Sequence, residues 1–110
     1  MQHDQVASAQ RAWEAVRADI VAGFGRLWEF AELPNMEYRS AAYLADWLER
    51  EGFTVTRKAH GLPTAFVAPW RAGPGPRIAL LAEYDALPGT GNQVITGRAR
   101  MDGPAGHACG

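Results

Sequence analysis

Apolar positions recur every three or four residues through the first third of the chain: Val6, Ala9, Trp13, Val16, Ile20, Phe24, Leu27 and Ala31. That spacing places them on one face of a helix over residues 4–33. Gly23 and Gly25 fall inside it, each costing about 1 kcal/mol relative to Ala, so a bend or break is expected there. Leu33–Pro34 should end the helix, because the residue before a proline is pushed out of the helical region. A second helix is expected over about 36–51, with Asn35 as N-cap and Glu37 in the first turn. Tyr38, Ala41, Ala42, Ala45 and Leu48 form its apolar stripe, Arg50 sits in its last turn, and Gly52 marks its stop. After Gly52 the period falls from 3.6 to 2. Phe53–Arg57 alternates apolar and polar residues, the mark of a half-buried strand, and Ala65–Ala68 is a short second strand beyond the turn His60–Pro63. Arg71–Pro76 is a loop. Arg77–Ala82 is apolar enough to be a central strand covered on both faces. From Glu83 onward the chain is rich in Gly and Pro and loses periodicity.

The order is helix, helix, strand, strand, strand, long loop. It reads as an α/β fold, and as the start of such a domain over residues 1–110. Nothing after Ala82 supplies the second layer that a central strand needs.

Composition narrows the function classes. Hydrophobic residues make up 47% and charged residues 21% of the 110 residues, values of a globular chain. Eleven Lys and Arg against twelve Asp and Glu give a formal net charge of -1. This balance argues against nucleic acid as a partner bound through phosphate neutralisation, and against an anionic membrane surface. No run approaches the roughly 20 apolar residues of a membrane span, and the first residues lack a basic-then-apolar signal pattern. The single cysteine, Cys109, excludes an internal disulfide and suits a reducing, cytoplasmic compartment.

Two clusters carry candidate chemistry. Glu83 and Asp85 lie two apart at the carboxyl end of the buried apolar run, where ligands of open α/β sheets bind. In extended chain they would face the same side and suit metal binding, proton transfer or the orientation of a neighbouring ligand. Solvated acids at the start of a loop would look the same. His107 and Cys109 lie two apart on a glycine-rich segment and could offer an imidazole and a thiolate to one ion. An inert buried cysteine and a nucleophilic Cys–His pair are the alternatives. Arg98 and Arg100 could reach a substrate carboxylate, or stay in water. Trp13, Trp28, Trp47 and Trp70 read as packing residues, and His3 and His60 as surface residues.

Together the motifs Ala82-Glu83-Tyr84-Asp85-Ala86-Leu87-Pro88-Gly89 and Gly106-His107-Ala108-Cys109-Gly110 resemble the zinc-dependent aminoacylase and aminobenzoyl-glutamate hydrolase superfamily of metallo-amidohydrolases. The upstream segments Arg39–Leu44 and Leu48–Phe53 agree, so the resemblance runs from about Leu27 to Gly110. The Glu83-Tyr84-Asp85 form and the insert 90–103 are most similar to the aminobenzoyl-glutamate hydrolase type.

The resemblance implies a metal-dependent hydrolase of amide bonds, acting on aminobenzoyl-glutamate, an N-acyl amino acid or a dipeptide through metal-activated water. It implies a site for zinc or manganese, with two metals in the complete enzyme. Cys109 would be a metal ligand as thiolate. Asp85 would be the catalytic carboxylate that orients the metal site, with Glu83 and His107 behind the ligands. The remaining ligands and the general base would belong to the remainder of the catalytic domain, and these and the lid domain that makes the homodimer are absent from these 110 residues. The chain is therefore expected to be an N-terminal portion that is inactive by itself. A non-catalytic binding or regulatory module is the competing expectation.

Overall fold

The computed structural model describes residues 2–103 and 105–107. Helix α1 (Gln2–Phe30) and helix α2 (Tyr38–Arg50) are joined by a short turn. Two antiparallel ribbons follow. Strand β1 (Thr56–Arg57) pairs with β2 (Phe66–Val67), with Thr56 opposite Val67. Strand β3 (Leu87–Pro88) pairs with β4 (Ala105–Gly106), with Leu87 opposite Gly106. The chain is thus a mixture of helix and strand, as expected, but its sheets are small and separate.

Helix α1 runs through both glycines without a break. Gly23 is buried, and a Cβ there would lie 2.6 Å from Cζ3 of Trp47 on α2. The missing side chain lets the two helices approach, which offsets its propensity cost. The helix ends at Phe30, three residues before the expected Leu33, because Ala31 turns into the left-handed region at φ 42°. From Ser8 to Ala22 α1 is exposed on every side, so its apolar stripe is only partly used. Val6, Trp13, Val16, Ile20 and Phe24 all remain solvent-accessible.

Helix α2 is two residues shorter at its start than the expected 36–51, and its cap differs. Asn35 adopts a left-handed turn at φ 64° and its side chain does not cap. The cap comes from Glu32, whose carboxylate accepts from the N–H groups of Arg39 (2.9 Å) and Ser40 (2.8 Å), the amides that an N-cap side chain would satisfy. The far end follows expectation. Gly52 takes φ 89°, its N–H donates to the Glu49 carbonyl, and the Phe53 N–H donates to Leu48, the two bonds of a Schellman stop. The inward face of α2 is rotated from the expected stripe: Ser40 and Ala45 are buried, whereas Tyr38 and Ala42 are exposed.

The main departure is at Arg77–Ala82. This segment forms no strand, and Ile78, Leu80 and Leu81 are 85%, 94% and 95% exposed. A strand of this kind needs neighbours on both edges and a layer on each face, and neither two-stranded ribbon pairs with it. The buried apolar residues among those described are small, namely Ala45, Ala59 and Ala86. Around them lie three buried polar residues, Glu37, Ser40 and Thr64. No buried polar side-chain atom among the described residues lacks a hydrogen-bond partner.

Candidate functional site

The ribbon β3–β4 brings the two sequence motifs together. Leu87 lies opposite Gly106 and Pro88 opposite Ala105, so the acidic segment and the glycine-rich segment run side by side although the whole 90–103 insert separates them along the chain. The pairing is close enough to require glycine. A Cβ on Gly106 would lie 2.3 Å from the Cα of Gly91. Thr90 locks the junction, its hydroxyl lying 3.0 Å from the Leu87 carbonyl and 2.9 Å from that of Gly106.

Both segments are tied to the C-terminal end of α1. The Nε2 of His107 lies 2.9 Å from the Leu27 carbonyl, which can only accept, so Nε2 carries the proton. Its ring packs against Trp28 at 5.9 Å. The Ala86 N–H donates to the Glu32 carbonyl at 2.7 Å. The guanidinium of Arg39 donates to the Phe30 carbonyl at 3.0 Å and lies over the Phe30 ring. Helix α1 has no basic residue in its own last turn. Donors from His107 and Arg39 meet the negative end of its dipole instead.

A polar network stands beside the acidic motif. The Glu32 carboxylate accepts from the Arg39 and Ser40 N–H groups, the Ser40 hydroxyl (2.8 Å) and the Arg39 guanidinium (3.4 Å). Burial acts to raise its pKa, but these bonds favour the carboxylate more strongly and hold it below the ordinary glutamate value. Glu37 accepts from the Asn35 N–H at 2.9 Å and the Thr64 hydroxyl at 2.6 Å. The Tyr84 hydroxyl donates to the Thr64 carbonyl, and its ring stacks on Phe66 with 15° between the planes. Burial, together with the negative charges of Glu37 and Glu32, pushes the Tyr84 phenol above its usual pKa.

Of the residues singled out in the sequence, Asp85 is half-buried between the anchored residues Tyr84 and Ala86, and Glu83 is exposed. His107 is half-buried against α1, and Cys109 lies outside the described residues. His60 is at the surface; Trp28 and Trp47 are half-buried packing residues, while Trp13 and Trp70 are exposed. Arg98 and Arg100 are both on the surface of the 90–103 excursion. No group of three or more His, Cys, Asp or Glu side chains converges on a metal position among the described residues. These residues alone do not make a metal centre, since a catalytic zinc needs about three protein ligands. Spacing gave no sign of Glu32, Thr64 and Tyr84 as supports. The available signal was an acid, Glu32, shortly ahead of the start of α2.

Comparison with known proteins gives the site its context. No family model matches the chain, and no solved structure matches it. Over 87 residues it is 42% identical to one of the subunits of p-aminobenzoyl-glutamate hydrolase from Escherichia coli, an alignment covering 77% of this chain and 18% of that protein. It is 36% identical over 86 residues to thermostable carboxypeptidase 1 of Saccharolobus solfataricus, covering 77% of this chain and 21% of the relative. It is 37% identical over 95 residues to Xaa-Arg dipeptidase of Mus musculus, covering 77% and 22%. The chain thus spans about a fifth of the length of the relatives it matches. Over the aligned stretch it is homologous to the aminobenzoyl-glutamate hydrolase type of amidohydrolase and its peptidase relatives.

Proposed function

We propose that this chain is the N-terminal portion of the catalytic domain of a metal-dependent amide hydrolase. Its substrates are small amides of the aminobenzoyl-glutamate, N-acyl amino acid or dipeptide class. The observation that carries this reading is the β3–β4 register, which sets Leu87–Pro88 of the Asp85 motif against Ala105–Gly106, directly ahead of His107. Similarity to three hydrolases over 77% of the chain supports it.

On this reading Cys109, as thiolate, would bind metal and Asp85 would orient the metal site, which would hold two zinc or manganese ions in the complete enzyme. The other ligands and the general base come from outside these 110 residues. A bound metal would supply water activation and carbonyl polarisation there. The chain's own share is positional. Asp85 is held between two tethered neighbours, and His107 donates its Nε2–H to the Leu27 carbonyl of α1. The whole enzyme works as a cytoplasmic homodimer.

The test is a chimera in which the aligned 87 residues of the Escherichia coli relative are replaced by those of this chain, assayed in the complete enzyme of which that relative is a subunit and beside the unaltered enzyme. A folded chimera should hydrolyse p-aminobenzoyl-glutamate when supplied with zinc or manganese, and should lose that activity on chelation. A soluble, folded chimera with no hydrolysis under metal supply defeats the proposal and favours a non-catalytic module.

A further inference from the structure

Tyr84 is the middle residue of Glu83-Tyr84-Asp85, and both ends of its side chain are committed to the scaffold. Its hydroxyl donates to the Thr64 carbonyl and its ring stacks on Phe66. Thr64 is buried and is itself held, its hydroxyl donating to Glu37 at 2.6 Å. Glu37 is buried and fastened in turn by the Asn35 N–H. On the other side of Asp85, Ala86 is fully buried and its N–H is bonded to the Glu32 carbonyl. Asp85 is therefore bracketed: the residue before it and the residue after it are each tied to a separate part of the scaffold. Its direction is set through these neighbours.

We infer that Tyr84, with Thr64 and Glu37 behind it, is a positioning residue that aims the Asp85 carboxylate. The inference rests on the reading of Asp85 as an active-site carboxylate. A bracket of this kind acts on geometry. Loosening one side lets the carboxylate wander by fractions of an ångström, which reduces turnover far more than it weakens binding of the substrate's remote groups.

Two measurements test it. In the 110-residue chain, amide exchange is followed at Ala86 and at Ala45 of α2. Tyr84→Phe and Thr64→Val should each speed Ala86 exchange by about tenfold while Ala45 is unchanged, since one lost hydrogen bond loosens one local unit. Thr64→Ser keeps the hydroxyl and should restore the slow rate. Unchanged exchange at Ala86, or equal acceleration at Ala45, overturns the inference.

In the chimera, Tyr84→Phe should lower kcat by roughly 10- to 100-fold with KM within about twofold, and Thr64→Ser should recover most of what Thr64→Val loses. Asp85→Asn separates the two claims. If it is inactive while Tyr84→Phe turns over like the parent, the positioning role fails. If Asp85→Asn stays active, the role of Asp85 fails, and the exchange data decide the tether by themselves.

Discussion

Glu32 caps a helix to which it does not belong. Its carboxylate receives four donors from Arg39 and Ser40, and its backbone carbonyl receives the Ala86 amide. Glu32→Gln should lower stability at neutral pH by about 1–2 kcal/mol, read from urea unfolding. The sign of its pH dependence follows from a lowered folded pKa. The stabilisation is present above the unfolded glutamate value, about 4.3, and is lost as pH falls through the lower folded value. The gap between parent and Glu32→Gln should therefore close in acid; a gap that stays constant to low pH would contradict an ionised cap. Gly106 is the second residue of this kind. Gly106→Ala puts a methyl onto the Gly91 backbone and should destabilise by about 2 kcal/mol or more, as overpacking against main chain does. The measured loss should be accompanied by faster amide exchange at Met101, whose N–H donates to the Gly91 carbonyl.

At the scale of elements, ends with their own local chemistry were legible and those completed from a distance were not. Gly52 could be read as a stop because the Schellman bonds use only residues 48–53. The start of α2 could not, since its cap arrives from Glu32 across a turn, and a periodicity argument cannot see a buried Ser40 that brings its partner with it. Gly23 was misread for the same reason: its cost in α1 is local, while its compensation sits on Trp47. Gly23→Ala should therefore lower the melting temperature despite raising helix propensity by about 1 kcal/mol. A stabilised variant would mean that the helices do not approach there. Arg57 joins β1 to α2 through Asp46 (2.6 Å) and Glu49 (2.8 Å), but all three side chains are largely in water. Arg57→Ala should change stability little, as for other exposed pairs, and what effect it has should fade with added salt.

For the molecule as a whole, the helix-then-strand order and the two chemical motifs were readable, and the pairing of the motifs was not. Nothing in the spacing of Leu87 and Gly106 announces that they face one another. The largest difference concerns Arg77–Ala82, where composition alone called for a covered strand and the described residues supply no cover. Leu80→Glu and Leu81→Glu, at 94% and 95% exposed positions, should leave unfolding of this chain within about 0.5 kcal/mol of the parent, as surface substitutions do. The same changes in the chimera should abolish soluble folding if that segment is covered in the complete enzyme. Equal tolerance in both settings would remove the idea that the segment waits for a strand partner. No helix among the described residues is long and apolar enough to cross a membrane.

The junction of Gly91 and Gly106 also bears on how such chains can change in length. Both ends of the 90–103 excursion are fastened, by the β3–β4 ladder, by Thr90 and by the Asn92–Arg100 bridge, while Val94 and Ile95 at its tip stand in solvent. Residues can be added or removed at the tip without moving either motif, because closing a somewhat longer loop costs little once its base is held. Separation along the chain is then a poor ruler for finding this pair of motifs elsewhere. What an insertion must preserve is the register of Leu87 with Gly106, and the tip becomes a place where a tag or a sensor could be grafted at small cost.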